Sequence, residues 1–264
     1  MNEKLVSRTK NGIGWIIFNN SEKRNAVSLQ MAKRAAECIK EHEENDEVRV
    51  LIIKGEGGKS FVSGADISEF EKIRSTPEGV KIYETTSNQM YQGLRDCAKT
   101  TIAMIQGYCM GGGVALACAC DFRICSKDAI FSVPAARLGI SYGPNHTRWV
   151  VEAVGLSSAK EILMTARRYS AEEAHRIGLV NHLVENSELE DFTIQYAATI
   201  VKNAPLSVLA AKAIARQVSK NSGDWDQDLC SEWMKKCTSS EDYKEGRRAF
   251  MEKGYPILQE FNSS

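Results

Sequence analysis

The sequence predicts an α/β fold, on three observations. Short apolar runs that end in glycine, VRVLIIKG at 48–55 and TTIAMIQG at 100–107, suit buried strands. Between such runs lie stretches with apolar residues at helical spacing, SLQMAKRAAECIKEHEEN at 28–45 foremost. Strands alternating with helices build parallel sheets with helices on their faces.

Taken in order, KLVSRTKNGIGWIIFNN (4–20) alternates on both sides of Asn11-Gly12, the signal of a tight hairpin. Ser28 is placed to cap the helix that follows, because its hydroxyl can accept from the free amides of the first turn. After the strand at 48–55 comes a glycine-rich loop, GEGGKSFVSGADI, then a helical region near 78–98. The strand at 100–107 leads to Gly111, Gly112 and Gly113, which open a small-residue helix reaching about Cys120. DFRICS (121–126) reads as a third strand. Ser170 with Glu173 fits a capping box, Gly178 fits the residue just past the helix, and LVNHLV (179–184) reads as a further strand. From about Asn186 the chain reads as consecutive helices broken near Pro205, Gly223 and Ser239-Ser240. The expected division is an α/β core over 1–205 and a helical segment over 206–264.

The 264 residues are 43% hydrophobic and 26% charged, enough for one sizeable core. Lys and Arg (34) balance Asp and Glu (34), and no basic block stands out, which argues against a nucleic-acid partner. The opening MNEKLVSRTKNG lacks the apolar stretch of a signal peptide, and no run of about 18 apolar residues predicts a membrane span. Cys118, Cys120 and Cys125 have no CxxC partner and no nearby histidine. Buried thiols rather than a metal site are expected, in a reducing, cytoplasmic setting.

Four segments, FVSGADISEF (61–70), IQGYCMGGGVALACACDFRI (105–124), FSVPAARLGI (131–140) and SAEEAHRIGLVNHLV (170–184), resemble the crotonase family of enoyl-CoA hydratases and isomerases in order and spacing. The resemblance extends from RNAVS (24–28) to GRRAFMEKGYP (246–256). It implies a spiral of ββα turns followed by a helical segment that forms homotrimers or dimers of trimers. It also implies an acyl-CoA thioester as substrate, coenzyme A being part of that substrate, with no separate cofactor and no metal. Two main-chain amides, here those of Ala65 and Gly112, would hold the thioester oxygen as it becomes an enolate. Preset amides at a helix N-terminus stabilise such new charge without reorganising, and losing one donor in other enzymes costs about a hundred- to a thousandfold. Gly64, Asp66, Ile67, Gly111, Pro134 and Ala135 would line the same site. SEKRNAVS would put Lys23, Arg24 and Ala26 beside the nucleotide, and AFMEKGYP would offer Phe250 and Lys253 to the CoA of a neighbouring subunit.

The chain departs from the family at the two places where hydratases carry glutamates. Ala115 stands at the first, in GGGxE, and Ala135 at the second, in PE. Alanine moves no proton, and acid–base help is typically worth about a hundred- to ten-thousandfold. Loss of CO2 from a malonyl-type thioester would form an enolate with no base. PAARLGISYGPNHTRW (134–149) is similar to the methylmalonyl-CoA decarboxylase branch, which has a tyrosine at the position of Tyr142 and makes it the expected catalytic hydroxyl. That branch has histidine at Ala65 and glutamate at Ala115. Three readings stay open: a decarboxylase, a hydratase or isomerase using Asp66, Tyr142 or His146, and a non-catalytic acyl-CoA-binding subunit. Asp66 is expected mainly to hold its turn. Arg137 is expected in a surface ion pair or against a substrate carboxylate. Asn145 and Glu69 are weaker candidates.

Overall fold

The computed structural model describes residues 3–69, 75–220 and 223–258. Phe70, the last residue of FVSGADISEF, lies outside them. Strands β1 (Leu5–Lys10) and β2 (Ile13–Phe18) form the expected antiparallel hairpin. Asn11 and Gly12 both take positive φ, 53° and 75°, as a type I′ turn requires. Helix α1 (Leu29–Glu44) starts on the Ser28 side chain, which accepts from the Met31 amide.

The chain then repeats one unit. β3 (Val50–Gly55) and β4 (Ser60–Val62) precede α2 (Pro77–Asp96). β5 (Thr100–Ile105) and β6 (Tyr108–Met110) precede α3 (Gly112–Ala119). β7 (Phe122–Ser126) and β8 (Ile130–Ser132) precede α4 (Pro144–Thr165), whose middle breaks at Gly155. In each unit the first strand joins one sheet and the second strand joins another, so the ββα units advance as a spiral. Among the described residues the larger sheet runs β1-β2-β3-β5-β7-β10, parallel beyond the hairpin, and the smaller runs β4-β6-β8-β9. β9 (Tyr169–Ser170) and β10 (His182–Val184) flank α5 (Ala171–Arg176), which carries the expected capping box. The strand expected over 179–184 is shorter than read: the Leu179 and Val180 amides both bond the Ala174 carbonyl and so complete the end of α5.

Side chains alternate across the large sheet and feed two cores. Leu51, Ile53, Ala103 and Ile105 point toward the small sheet and toward α1, where Met31, Ala35 and Ile39 meet them. Trp15, Ile17, Val50, Ile52, Ile102 and Met104 point the other way, onto Leu189 and Ala197 of α6 (Leu189–Val201). α7 (Pro205–Val218) is tied back to the core by the buried Lys212 ammonium, which reaches the Asp121 carboxylate. α8 (Gln227–Ser239) and α9 (Glu241–Met251) follow. Seven of the eight cysteines are buried, and burial raises thiols such as Cys109 and Cys118 above their ordinary pKa.

Candidate active site

Two turns meet at the ends of neighbouring strands in the small sheet. β4 continues into Gly64-Ala65, and β6 continues into Gly111-Gly112. A Cβ on Gly64 would lie 3.6 Å from the Gly112 nitrogen. On its other side the Gly64–Asp66 segment is held by Val27, whose amide donates to the Gly64 carbonyl (2.8 Å) and whose carbonyl accepts from the Asp66 amide (2.9 Å). Amides alternate sides along an extended chain. The Ala65 N–H between those two bonds therefore faces away from Val27, toward the side on which β6 and its glycine turn run. Among the described residues it has no backbone acceptor. Gly112 is the first residue of α3, where an N–H has no partner inside the helix. The two amides expected to act together are thus on adjacent turns, both without a backbone acceptor, one of them at a helix N-terminus.

The carbonyl of Gly111 is the hub of the second turn. Gly111 takes φ 52°, ψ −113°, its N–H donates to the Ser132 carbonyl, and its own oxygen accepts from Val114 (3.0 Å) and Ala115 (3.3 Å). The Tyr142 hydroxyl donates to that same oxygen at 3.0 Å. Pro134 packs against this turn, 3.9 Å from where a Gly111 Cβ would be. Ala115 is fully buried and Ala135 nearly so, and the Tyr142 hydroxyl also faces the Ala115 amide. Burial raises the Tyr142 hydroxyl well above its ordinary pKa, and the neighbouring Cys118 thiol and Tyr91 hydroxyl add to the effect.

A ring cluster closes the site. His146 stands edge-on to Tyr91 with centroids 4.5 Å apart, and 5.4 Å from both Tyr142 and Trp149. Burial lowers the His146 pKa to about 4, so its ring is neutral at pH 7, and its Nε2 has no partner among the described residues. A Cβ on Gly112 would fall 2.5 Å from the Tyr91 hydroxyl oxygen, so any other residue at 112 would push that hydroxyl aside. Sequence reasoning missed Tyr91. With Tyr83, Met90 and Leu94 it lies on the buried face of α2 and reads as core; its hydroxyl, which needs a partner, was the available signal.

Asp66 is buried and salt-bridged. Lys23 Nζ lies 2.7 Å from Oδ2, while the Ser68 amide and hydroxyl both donate to Oδ1. Burial alone would raise this carboxyl, but Lys23 and Ser68 together hold it below its ordinary pKa. Glu69 is also committed, accepting from the Leu29 amide at the start of α1. Lys23 therefore ties its loop to Asp66, while Arg24 lies over the Tyr108 ring at 5.3 Å. Asn25, a second residue missed from sequence, is wholly buried and fixes that loop by accepting from the Asn20 amide and donating to the Glu56 and Ser60 carbonyls. Ala26 is buried, and Ile67 is 63% exposed at the edge of the site. The surface ion pair expected of Arg137 does not form with any described residue. Phe250 is exposed and faces a separate groove of about 680 Å³ lined from α7, α8 and α9; Lys253 follows α9. Within one chain neither is brought to the two turns.

Residues 8–260 match the enoyl-CoA hydratase/isomerase family, and the chain belongs to it. It is 37% identical over 249 residues to the short-chain-enoyl-CoA hydratase of Clostridium acetobutylicum, covering 94% of this chain and 95% of that one. It is 30% identical over 251 residues to the crotonyl-CoA hydratase of Syntrophomonas wolfei, covering 95% and 96%. The crystal structure of an enoyl-CoA hydratase/isomerase family protein from Hyphomonas neptunium superposes with a TM-score of 0.93 at 32% identity, covering 97% and 98%. The chain is an enzyme of this family, acting on acyl-CoA, and its ββα spiral is the family fold.

Proposed function

We propose that this enzyme decarboxylates a malonyl-type acyl-CoA, holding the resulting thioester enolate on the Ala65 and Gly112 amides. One observation carries the reading: among the described residues, no free carboxylate stands at the site to act as a base. Ala115 and Ala135 occupy the two glutamate positions, and the Tyr142 hydroxyl lies beside the first. The carboxylates that follow the first turn are engaged elsewhere, Asp66 with Lys23 and Ser68, Glu69 with the Leu29 amide. Hydration needs a group to activate water; decarboxylation does not, because the breaking C–C bond leaves its electron pair on the α-carbon. Two amides and the α3 N-terminus then take up the charge on the thioester oxygen. Tyr142 positions the hole by holding the Gly111 carbonyl. Lys23, Arg24 and Ala26 lie on the loop proposed to meet the nucleotide, and Phe250 and Lys253 are proposed to reach the CoA of a neighbour in a trimer.

The names of the relatives favour a second reading, enoyl-CoA hydration. A paired assay separates the two. With methylmalonyl-CoA or ethylmalonyl-CoA the enzyme is expected to release CO2, and to hydrate crotonyl-CoA at least about a hundredfold more slowly. Hydration without CO2 release would overturn the decarboxylase reading. Tight binding of every thioester with no turnover would mean a binding subunit. Restoring both carboxylates, Ala115→Glu with Ala135→Glu, is expected to raise hydration.

A further inference from the structure

The reading above needs a proton for the α-carbon, and Tyr142 donates its own to the Gly111 carbonyl. The site holds a second hydroxyl. Among the described residues, the sealed side-chain polar atoms without a partner are His146 Nε2 and Tyr169 Oη. The Tyr91 hydroxyl makes no hydrogen bond with any described residue; the residue is buried, and that burial raises the hydroxyl above its ordinary pKa. That oxygen is 2.5 Å from the Cβ position of Gly112, which puts it within ~5 Å of the Gly112 nitrogen by standard bond lengths. A thioester oxygen that accepts a hydrogen bond from that N–H has its α-carbon two bonds away, also within ~5 Å of the nitrogen.

We propose that Tyr91 is the proton donor to the α-carbon of the enolate. The Cα–CO2 bond breaks and CO2 departs. The electron pair, held as enolate by Ala65 and Gly112, forms a new Cα–H bond with the Tyr91 hydroxyl proton. The tyrosinate regains a proton from water, so the net reaction consumes one solvent proton. His146 and Trp149 hold the Tyr91 ring at the required angle through edge and tilted contacts. The inference rests on the enolate reading but not on decarboxylation, since hydration also ends by protonating the α-carbon.

The test runs methylmalonyl-CoA and crotonyl-CoA in D2O with the wild-type protein and with Tyr91→Phe, which keeps the ring packing. The wild type is expected to place deuterium on one face of the α-carbon. Tyr91→Phe is expected to lower kcat about a hundredfold with KM nearly unchanged, and to give label on both faces as solvent takes over. Tyr142→Phe, slower through a misplaced hole, is expected to keep a single face; a melting curve checks that each variant is folded. Single-face labelling by Tyr91→Phe, or a loss under threefold, overturns the proposal, as does two-face labelling by the wild type. If the wild type only hydrates crotonyl-CoA, the decarboxylase reading fails and the label in the hydrated product still decides on Tyr91. If it turns over neither thioester, both fail.

Discussion

A Cβ on Gly113 would sit 2.1 Å from the Val62 carbonyl oxygen, and one on Gly112 would sit 2.5 Å from the Tyr91 hydroxyl. The third glycine is therefore required by close approach to the β4 backbone, the second leaves the Tyr91 hydroxyl in place, and the first is required by its positive φ. His146 shows the same economy of space. Its neutral, half-buried ring fills the volume between Tyr91, Tyr142 and Trp149. Because its folded pKa, about 4, lies below the ordinary 6.5, the unfolded chain binds the extra proton between those values. Stability contributed this way is complete above pH 6.5 and falls as pH drops toward 4, by up to about 3 kcal/mol. His146→Phe keeps an aromatic ring and removes the titration. Its melting temperature is expected to fall less than that of the wild type between pH 6.5 and 4. His42, buried and lowered in the same direction, acts equally in both proteins. Parallel curves would contradict the assignment.

At the scale of elements, the site is a product of strands too short to read. The hairpin at Asn11-Gly12, the Ser28 cap and the Ser170–Glu173 capping box were legible because each is a local rule satisfied by neighbours in sequence. β4, β6 and β8, three residues each, were not, since three residues carry no period; yet β4 and β6 bring the two amide turns together. The long α4 was hidden by its break at Gly155. Ala65 and Gly112 were legible only through motifs, and Tyr91 was lost among the apolar residues of its helix face. The loop before α1 and the turn after β4 are fastened by the Val27–Ala65 bridge and by Lys23–Asp66. If Asp66 only fastens, Asp66→Asn is expected to cost about 1 kcal/mol of stability and less than tenfold in kcat, because the amide oxygen still accepts from Ser68. A loss of a hundredfold or more in kcat, with the fold intact, would instead make Asp66 an acid–base group.

At the scale of the molecule, each ββα unit contributes one strand to the large sheet and one to the small, with the glycine turn of the middle unit leading straight into α3. The large sheet is buried on both faces, which fixes the positions of the strand ends. The small sheet holds the two amide turns side by side at the ends of β4 and β6. A carbonyl that settles between two such amides loses double-bond character before any chemistry occurs. Infrared difference spectroscopy of propionyl-CoA labelled with 13C at the thioester carbonyl reads this directly, because that saturated ester does not turn over. On binding wild-type protein the labelled stretch should move below its frequency in water, and the displacement should largely vanish in Gly112→Ala. A bound carbonyl absorbing where it does in water would contradict convergence of the Ala65 and Gly112 amides on one oxygen.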